Sequence, residues 1–186
     1  MRVSKSFRPF LAVVLVIVGT AAILWLMGRP LTYKGGLIEL WGPVGAKQSQ
    51  MLLDWYSASH VVHGFLFYGL LHLVAKRWKP GEKLLAATLV EAAWEIVENS
   101  PVIINRYREA TIALGYRGDS VLNSVSDIAL MAAGFLVAAR VPVWASVMIV
   151  LVLELIPLAI IRDNLTLNIW MLLSPDASIR AWQAGA

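Results

Sequence analysis

Glu91, Glu95 and Glu98 recur at i, i+4 and i+7, a spacing that puts three carboxylates on one helix face. His60 and His63, at i and i+3, share a face of another helix, and Asp119, Asn123 and Asp127, spaced by four, form a third stripe. Imidazole and carboxylate donors suit zinc, manganese or iron; carboxylates with Asn and water suit magnesium or calcium. A divalent metal ion held among His60, His63, Glu95, Glu98 and Asp127 would activate water, with Glu91 or a neighbouring carboxylate shuttling the proton. Glu91, Glu95 and Asp127 are therefore the candidate catalytic residues. Without an ion, these carboxylates must take up protons or draw in cations such as Arg106, Arg108, Arg117 and Arg162. Arg106, Arg108 and Arg117, whose guanidinium forks match phosphate, are the candidate substrate-binding residues together with Asn123.

The segments that carry these groups are too apolar for a soluble domain. Hydrophobic residues make up 59% of the 186-residue chain, charged residues 15%, and the mean hydropathy is +0.68. Five runs approach the roughly 20 residues of a spanning helix, at about 10–27, 58–75, 84–105, 120–139 and 142–161. The expected fold is all-α: one polytopic helical membrane domain over residues 1–186, with about five transmembrane helices. Residues 28–57 form an outer loop broken up by Gly and Pro. The tail at 165–173 is too short to span and reads as an interfacial helix. The basic start, long first run and lack of a small-x-small site favour an uncleaved first span over a signal peptide.

Arg2, Lys5 and Arg8 precede the first span, and Lys76, Arg77, Lys79 and Lys83 fill the link between the second and third. The positive-inside rule places both groups, and the N-terminus, in the cytoplasm. Trp25, Trp55, Trp78 and Trp144 lie near span ends, as interfacial aromatics do.

Depth can then be counted at about 1.5 Å per residue. Glu95 lies roughly 18 Å in from Lys83, and Asp127 roughly 12 Å in from Asp119, so the two reach nearly the same level of a core about 30 Å thick. The same count brings Glu154 to that level, with His60 and His63 entering slightly above it. Four spans thus direct polar groups to one layer in the outer half.

Plainer roles compete for several of these residues. Two histidines near a span end can be simple interfacial side chains, and His72 reads as structural. Asp119 or Ser120 fits the N-cap of the fourth span, whereas Asn123 and Asp127 lie inside it. Glu154 can bond a neighbouring helix, and Trp94 can face lipid or floor the site. Serines 57, 59, 120, 124 and 126 lie near the layer, but the chain has no Gly-x-Ser-x-Gly elbow, no phosphate loop and no dinucleotide fingerprint. With no Cys, thiol catalysis and thiolate metal sites are excluded.

The segments Trp55-Tyr56-Ser57-Ala58-Ser59-His60-Val61-Val62-His63-Gly64, Glu91-Ala92-Ala93-Trp94-Glu95, Gly115-Tyr116-Arg117-Gly118-Asp119-Ser120 and Asp163-Asn164-Leu165 resemble a family of small alphaproteobacterial inner-membrane proteins, a domain of unknown function. The resemblance covers most of the chain and implies an inner-membrane location. The Glu-rich span followed by Gly-Asp-Ser-x-x-Asn-Ser-x-Ser-Asp and Gly134 is also similar in pattern to VanZ-like membrane proteins.

Three functions fit these patterns. The first is a membrane-embedded, metal-dependent hydrolase or transferase acting on a lipid or lipid-linked headgroup at the periplasmic side. The second is a transporter coupled to a cation or protons, or a lipid-binding protein, with the carboxylates titrating. The third is a non-catalytic assembly or resistance factor. Expected partners are membrane lipids and a second copy of the chain. Nucleic acid is not expected, because the net charge of +4 comes from cations at span ends.

Overall fold

The computed structural model describes residues 8–111 and 115–185, and it is helical throughout apart from loops and two isolated bridges. Arg2 and Lys5 lie outside the described residues. The helices are α1 (Arg8–Leu26), α2 (Ser57–Val74), α3 (Pro80–Glu98), α4 (Pro101–Ala110), α5 (Val121–Ala138), α6 (Val143–Ile161), α7 (Leu165–Leu173) and α8 (Ala177–Ala184). Helices α1, α2, α5 and α6 are long and apolar enough to cross a membrane. Helix α3 matches them in length at 19 residues, but Glu82, Lys83, Glu91, Glu95 and Glu98 lower its hydropathy.

The third run ends earlier than its apolar pattern suggests. Proline disfavours helical backbone at the residue before it and has no N–H for the helix ladder. Ser100, ahead of Pro101, is accordingly extended at φ −78°, ψ 153°. Helix α3 therefore stops at Glu98, and residues 101–105 begin a separate helix, α4. The tail is two short helices, α7 and α8, joined by the Asp176 cap.

Helices α1 and α3 run side by side in the same direction. A Cβ on Gly81, at the start of α3, would meet the Pro9 ring 2.7 Å away. At the other end Arg29, just beyond α1, reaches the chain at Arg117–Gly118, and Asn99, just beyond α3, bonds Asp119. Near the first end, Val13, Leu84, Ala87, Met131 and Phe135 close an apolar core between α1, α3 and α5. The polar half lies at the opposite end.

There, residues 28–56 fold into the structure rather than over it. Helix α5 begins with N–H groups that have no partner within the helix. Val121 donates to the Pro30 carbonyl at 2.8 Å and Leu122 to Leu31 at 3.1 Å, while Ser120 Oγ caps Asn123 N at 3.1 Å. Helices α4 and α7 meet beside this loop, where Tyr107 Oη donates to Asn168 Oδ1 at 2.8 Å. Loop, α4 and α7 together roof the helices below. Helix α6 buries only Pro157 and lies at the periphery.

Candidate functional site

The site starts from the seam between α2 and α5. Gly64 and Gly134 leave the two backbones so close that a Cβ on Gly64 would strike the Met131 carbonyl, and one on Gly134 the Val61 carbonyl. Small residues permit such close approach of helices in membranes. One turn before Gly64, this places His60 Nε2 3.7 Å from Asp127 Oδ2. Helix α3 closes the third side. His60 Nδ1 stands 2.6 Å from Glu91 Oε1 and 3.6 Å from Glu95 Oε1. His63 Nδ1 lies 3.1 Å from both Glu91 oxygens.

These carboxylates are not equally satisfied. Glu91, fully buried, accepts from both imidazoles. Glu95 is 1% exposed and Asp127 4%, yet neither Glu95 oxygen, nor Asp127 Oδ1, has a hydrogen-bond partner among the described residues. Unpaired buried carboxylates are costly and call for a proton or a cation. Two sets of three ligand atoms lie mutually within 4.8 Å: His60, His63 and Glu91, and His60, Glu95 and Asp127. The first set is already joined by its own hydrogen bonds. The second carries the unpartnered oxygens; its His60 Nε2–Asp127 Oδ2 separation of 3.7 Å approaches the roughly 3.3 Å between two ligands of a tetrahedral ion, whereas the 3.6 Å separation of Glu95 Oε1 is from the other ring nitrogen, Nδ1.

The roof carries more buried acids. Asp54 accepts backbone N–H bonds from Ser49 at 2.7 Å, Tyr56 at 2.8 Å and Ser57 at 3.1 Å, yet burial still raises its carboxyl above the ordinary range. Asp119 is likewise raised by burial, against bonds from Asn99 Nδ2 at 2.8 Å and Tyr116 Oη at 3.0 Å. Burial also raises Asp163, which accepts from Tyr56 Oη at 2.7 Å.

Between roof and carboxylates lies a chamber of about 380 Å³. Its polar wall includes Asp54, His60, His63, Glu91, Asp119 and Asp127. On another side Leu66, Val90 and Ile169 line it while also being exposed on the outside of the helices. The mouth is thus apolar and opens between α2, α3 and α7.

Residues 24–185 match the family model described as "Protein of unknown function (DUF2585)". The chain belongs to the DUF2585 family. It is 53% identical to a UPF0314 protein of Paracoccus denitrificans, covering 97% of this chain and 95% of that one. It is 50% identical to a UPF0314 protein of Novosphingobium aromaticivorans, over 97% and 91% of the two chains. It is 54% identical to a UPF0314 protein of Rhizobium meliloti, over 86% and 82%. No solved structure matches it.

In this DUF2585 chain, the structure brings His60, His63, Glu91, Glu95 and Asp127 together, and of these five only Glu95 is not in the chamber lining. Glu98 does not join the ligand sets; it lines the chamber from the last turn of α3. Glu91, which with a neighbouring carboxylate was the expected proton shuttle, is hydrogen-bonded to both histidines. The expected substrate-binding arginines do not line the chamber. Arg106 Nε donates to the Leu172 carbonyl at 2.9 Å and Arg108 Nε to that of Tyr116, each tying α4 to a neighbouring segment. Arg117 points to a different basin. Asn123 lines the chamber, but its Nδ2 is taken by the Met51 carbonyl at 2.9 Å. Glu154 leaves the polar layer and caps α7, accepting from Leu165 N and Thr166 N, both at 3.1 Å. Ser120 is the α5 cap, and Trp94 forms part of the chamber wall. Asp54, Tyr56, Tyr107 and Tyr116 were not among the expected site residues. Asp54-x-Tyr56-Ser57 just ahead of a span was the available signal, since Asp is a common turn and cap residue there.

Proposed function

We propose that this DUF2585 protein is an inner-membrane enzyme with its N-terminus in the cytoplasm, a metal-dependent hydrolase or transferase acting on a lipid or lipid-linked headgroup at the periplasmic side. The unpartnered oxygens of Glu95 and Asp127, buried on either side of His60, carry the reading. A divalent ion there would supply Lewis-acid activation of a headgroup ester and of water. Glu91 holds the Nδ1 side of both imidazoles and so orients them, as carboxylates do behind metal-binding histidines. His63 lines the chamber with Nε2 unbonded among the described residues, placed to take up or return a proton. The apolar mouth suits a substrate that arrives from within the bilayer. The orientation draws support from Lys76, Arg77, Lys79 and Lys83, clustered at the end of the molecule where α1 begins.

The test is elemental analysis of protein purified in detergent, with and without added zinc, manganese or magnesium. About one ion per chain is expected, lost when Glu95→Gln and Asp127→Asn are combined. Protein that neither retains nor takes up an ion sinks the metal-dependent reading.

A second reading, a cation- or proton-coupled transporter, draws on the same placement of one imidazole among three carboxylates, which is also a proton-binding arrangement. Proton flux into proteoliposomes that depends on a solute and disappears in Glu95→Gln would select it.

A further inference from the structure

A second basin, of about 970 Å³, lies on the other side of the loop and shares Gln48, Ser49 and Tyr116 with the chamber wall. Arg29, Lys34 and Arg117 bring three cations to its lining, which among the described residues includes no Asp or Glu. The acids nearest these cations in sequence are Asp119, which lines the chamber and accepts from Asn99 and Tyr116, and Glu39, which is bound to Lys47 at 2.6 Å. The Lys34 and Arg117 side chains are exposed and have no partner among the described residues. Arg29 is anchored through Nη1 on the Arg117 carbonyl, which leaves its Nε buried and unpartnered. Gly118, at φ +84°, makes this possible, because a Cβ there would collide with the Arg29 guanidinium and with Asn99.

Three cations lining a concave site without counter-charge attract an anion, and guanidinium forks match the oxygens of phosphate. We propose that this basin binds the phosphate or diphosphate group of the molecule whose scissile end enters the chamber. This deepens the reading of the chamber as a headgroup enzyme and rests on it for the substrate class. The anion site itself does not depend on the metal. The two cavities have Gln48, Ser49 and Tyr116 in common, so a ligand with one end in each would pass beside these side chains. The substrate class is then an anionic, phosphate-bearing amphiphile, its charged end held by the loop and its apolar end reaching the bilayer past Leu66, Val90 and Ile169.

The test is pyrophosphate titration of the full chain in zwitterionic detergent at low salt, followed by thermal unfolding. A saturable stabilisation is expected in the wild type and also in Glu95→Gln, which lacks one of the carboxylate ligands. Affinity is expected to fall about tenfold in Lys34→Gln and in Arg117→Gln, both exposed and both expected to fold normally. Survival of the effect in Glu95→Gln separates this site from the metal proposal, so either can fail alone. A second arm adds phosphatidate in nanodiscs. Weakened pyrophosphate binding assigns the phosphate to a lipid and supports the amphiphile; unchanged binding overturns the amphiphile and assigns the basin to a free phosphate compound. No saturable shift, or the same shift in both charge variants as in wild type, overturns the proposal.

Discussion

His60 Nε2 faces Asp127 Oδ2 across the α2–α5 seam at 3.7 Å, too far for a hydrogen bond and close to the spacing of two ligands around one ion. Asp127 Oδ1 is left unbonded as well. A pair held this way resembles a preformed half-site, and its neighbours determine what it costs.

Glu95→Gln is expected to stabilise the protein in the presence of a chelator. Removing a buried carboxylate that accepts no hydrogen bond among the described residues relieves a penalty on the order of 1–3 kcal/mol. The same substitution should abolish any rise in melting temperature on adding zinc or manganese. Thermal unfolding in detergent reads both effects. A variant that is less stable in chelator and still responds to metal would contradict the assignment of Glu95.

Glu91→Gln should act differently, because Glu91 orients rather than ligates. A glutamine cannot accept from both imidazoles through two oxygens, so one ring is released. Metal affinity is expected to drop roughly 10–100-fold while binding capacity per chain is kept. Isothermal titration distinguishes this from the loss of sites.

Gly134→Ala should separate α2 from α5. The added methyl meets the Val61 carbonyl, which is backbone and cannot swing away. A cost of about 1–3 kcal/mol is expected, along with weaker metal binding. Gly69→Ala, whose Cβ meets nothing within 4 Å, is the control and should leave melting temperature and metal binding unchanged.

The roof acids set a pH dependence. Burial raises Asp54, Asp119 and Asp163 above 3.8 in the folded protein, whereas the unfolded chain titrates at about that value. Their protonated forms therefore favour the fold. That contribution is full below the unfolded value and is lost as pH rises through the raised one. Stability of the roof should be higher near about pH 5 than near about pH 8, and Asp54→Asn should flatten the difference. Melting temperatures that rise steadily with pH in wild type would reverse the sign and refute this.

The helical stripes were legible because residues one turn apart must share a face. A count of 1.5 Å per residue then brought Glu95 and Asp127 to one level. Which of the three glutamates would meet the histidines was not legible. Rotation of α3 is set by its packing against α1 and α5, and this turns Glu91 and Glu95 inward and Glu98 toward Tyr107. Glu154 misled for a related reason: a lone acid in an apolar run gave no hint that the turn at Asp163-Asn164 would bring the N–H groups of Leu165 and Thr166 back onto it. The early end of α3 was present in Ser100-Pro101 and was overridden by the apolar residues that follow. The loop was the largest gap. Its bonds to α5 join residues some 70 to 90 positions apart and leave no periodic trace.

Those long-range bonds constrain biogenesis. Carbonyls of Pro30, Leu31 and Ser49 serve the start of α5, so the upper lobe stays unfinished until the ribosome has released that later segment. Before then, α2 and α3 lack Asp127, the carboxylate that faces His60 from α5. Nascent chains halted before Val121 should accordingly leave α3 extractable by alkaline carbonate, whereas chains extended through Ala138 should retain it. If α3 resists extraction at both lengths, its insertion is autonomous.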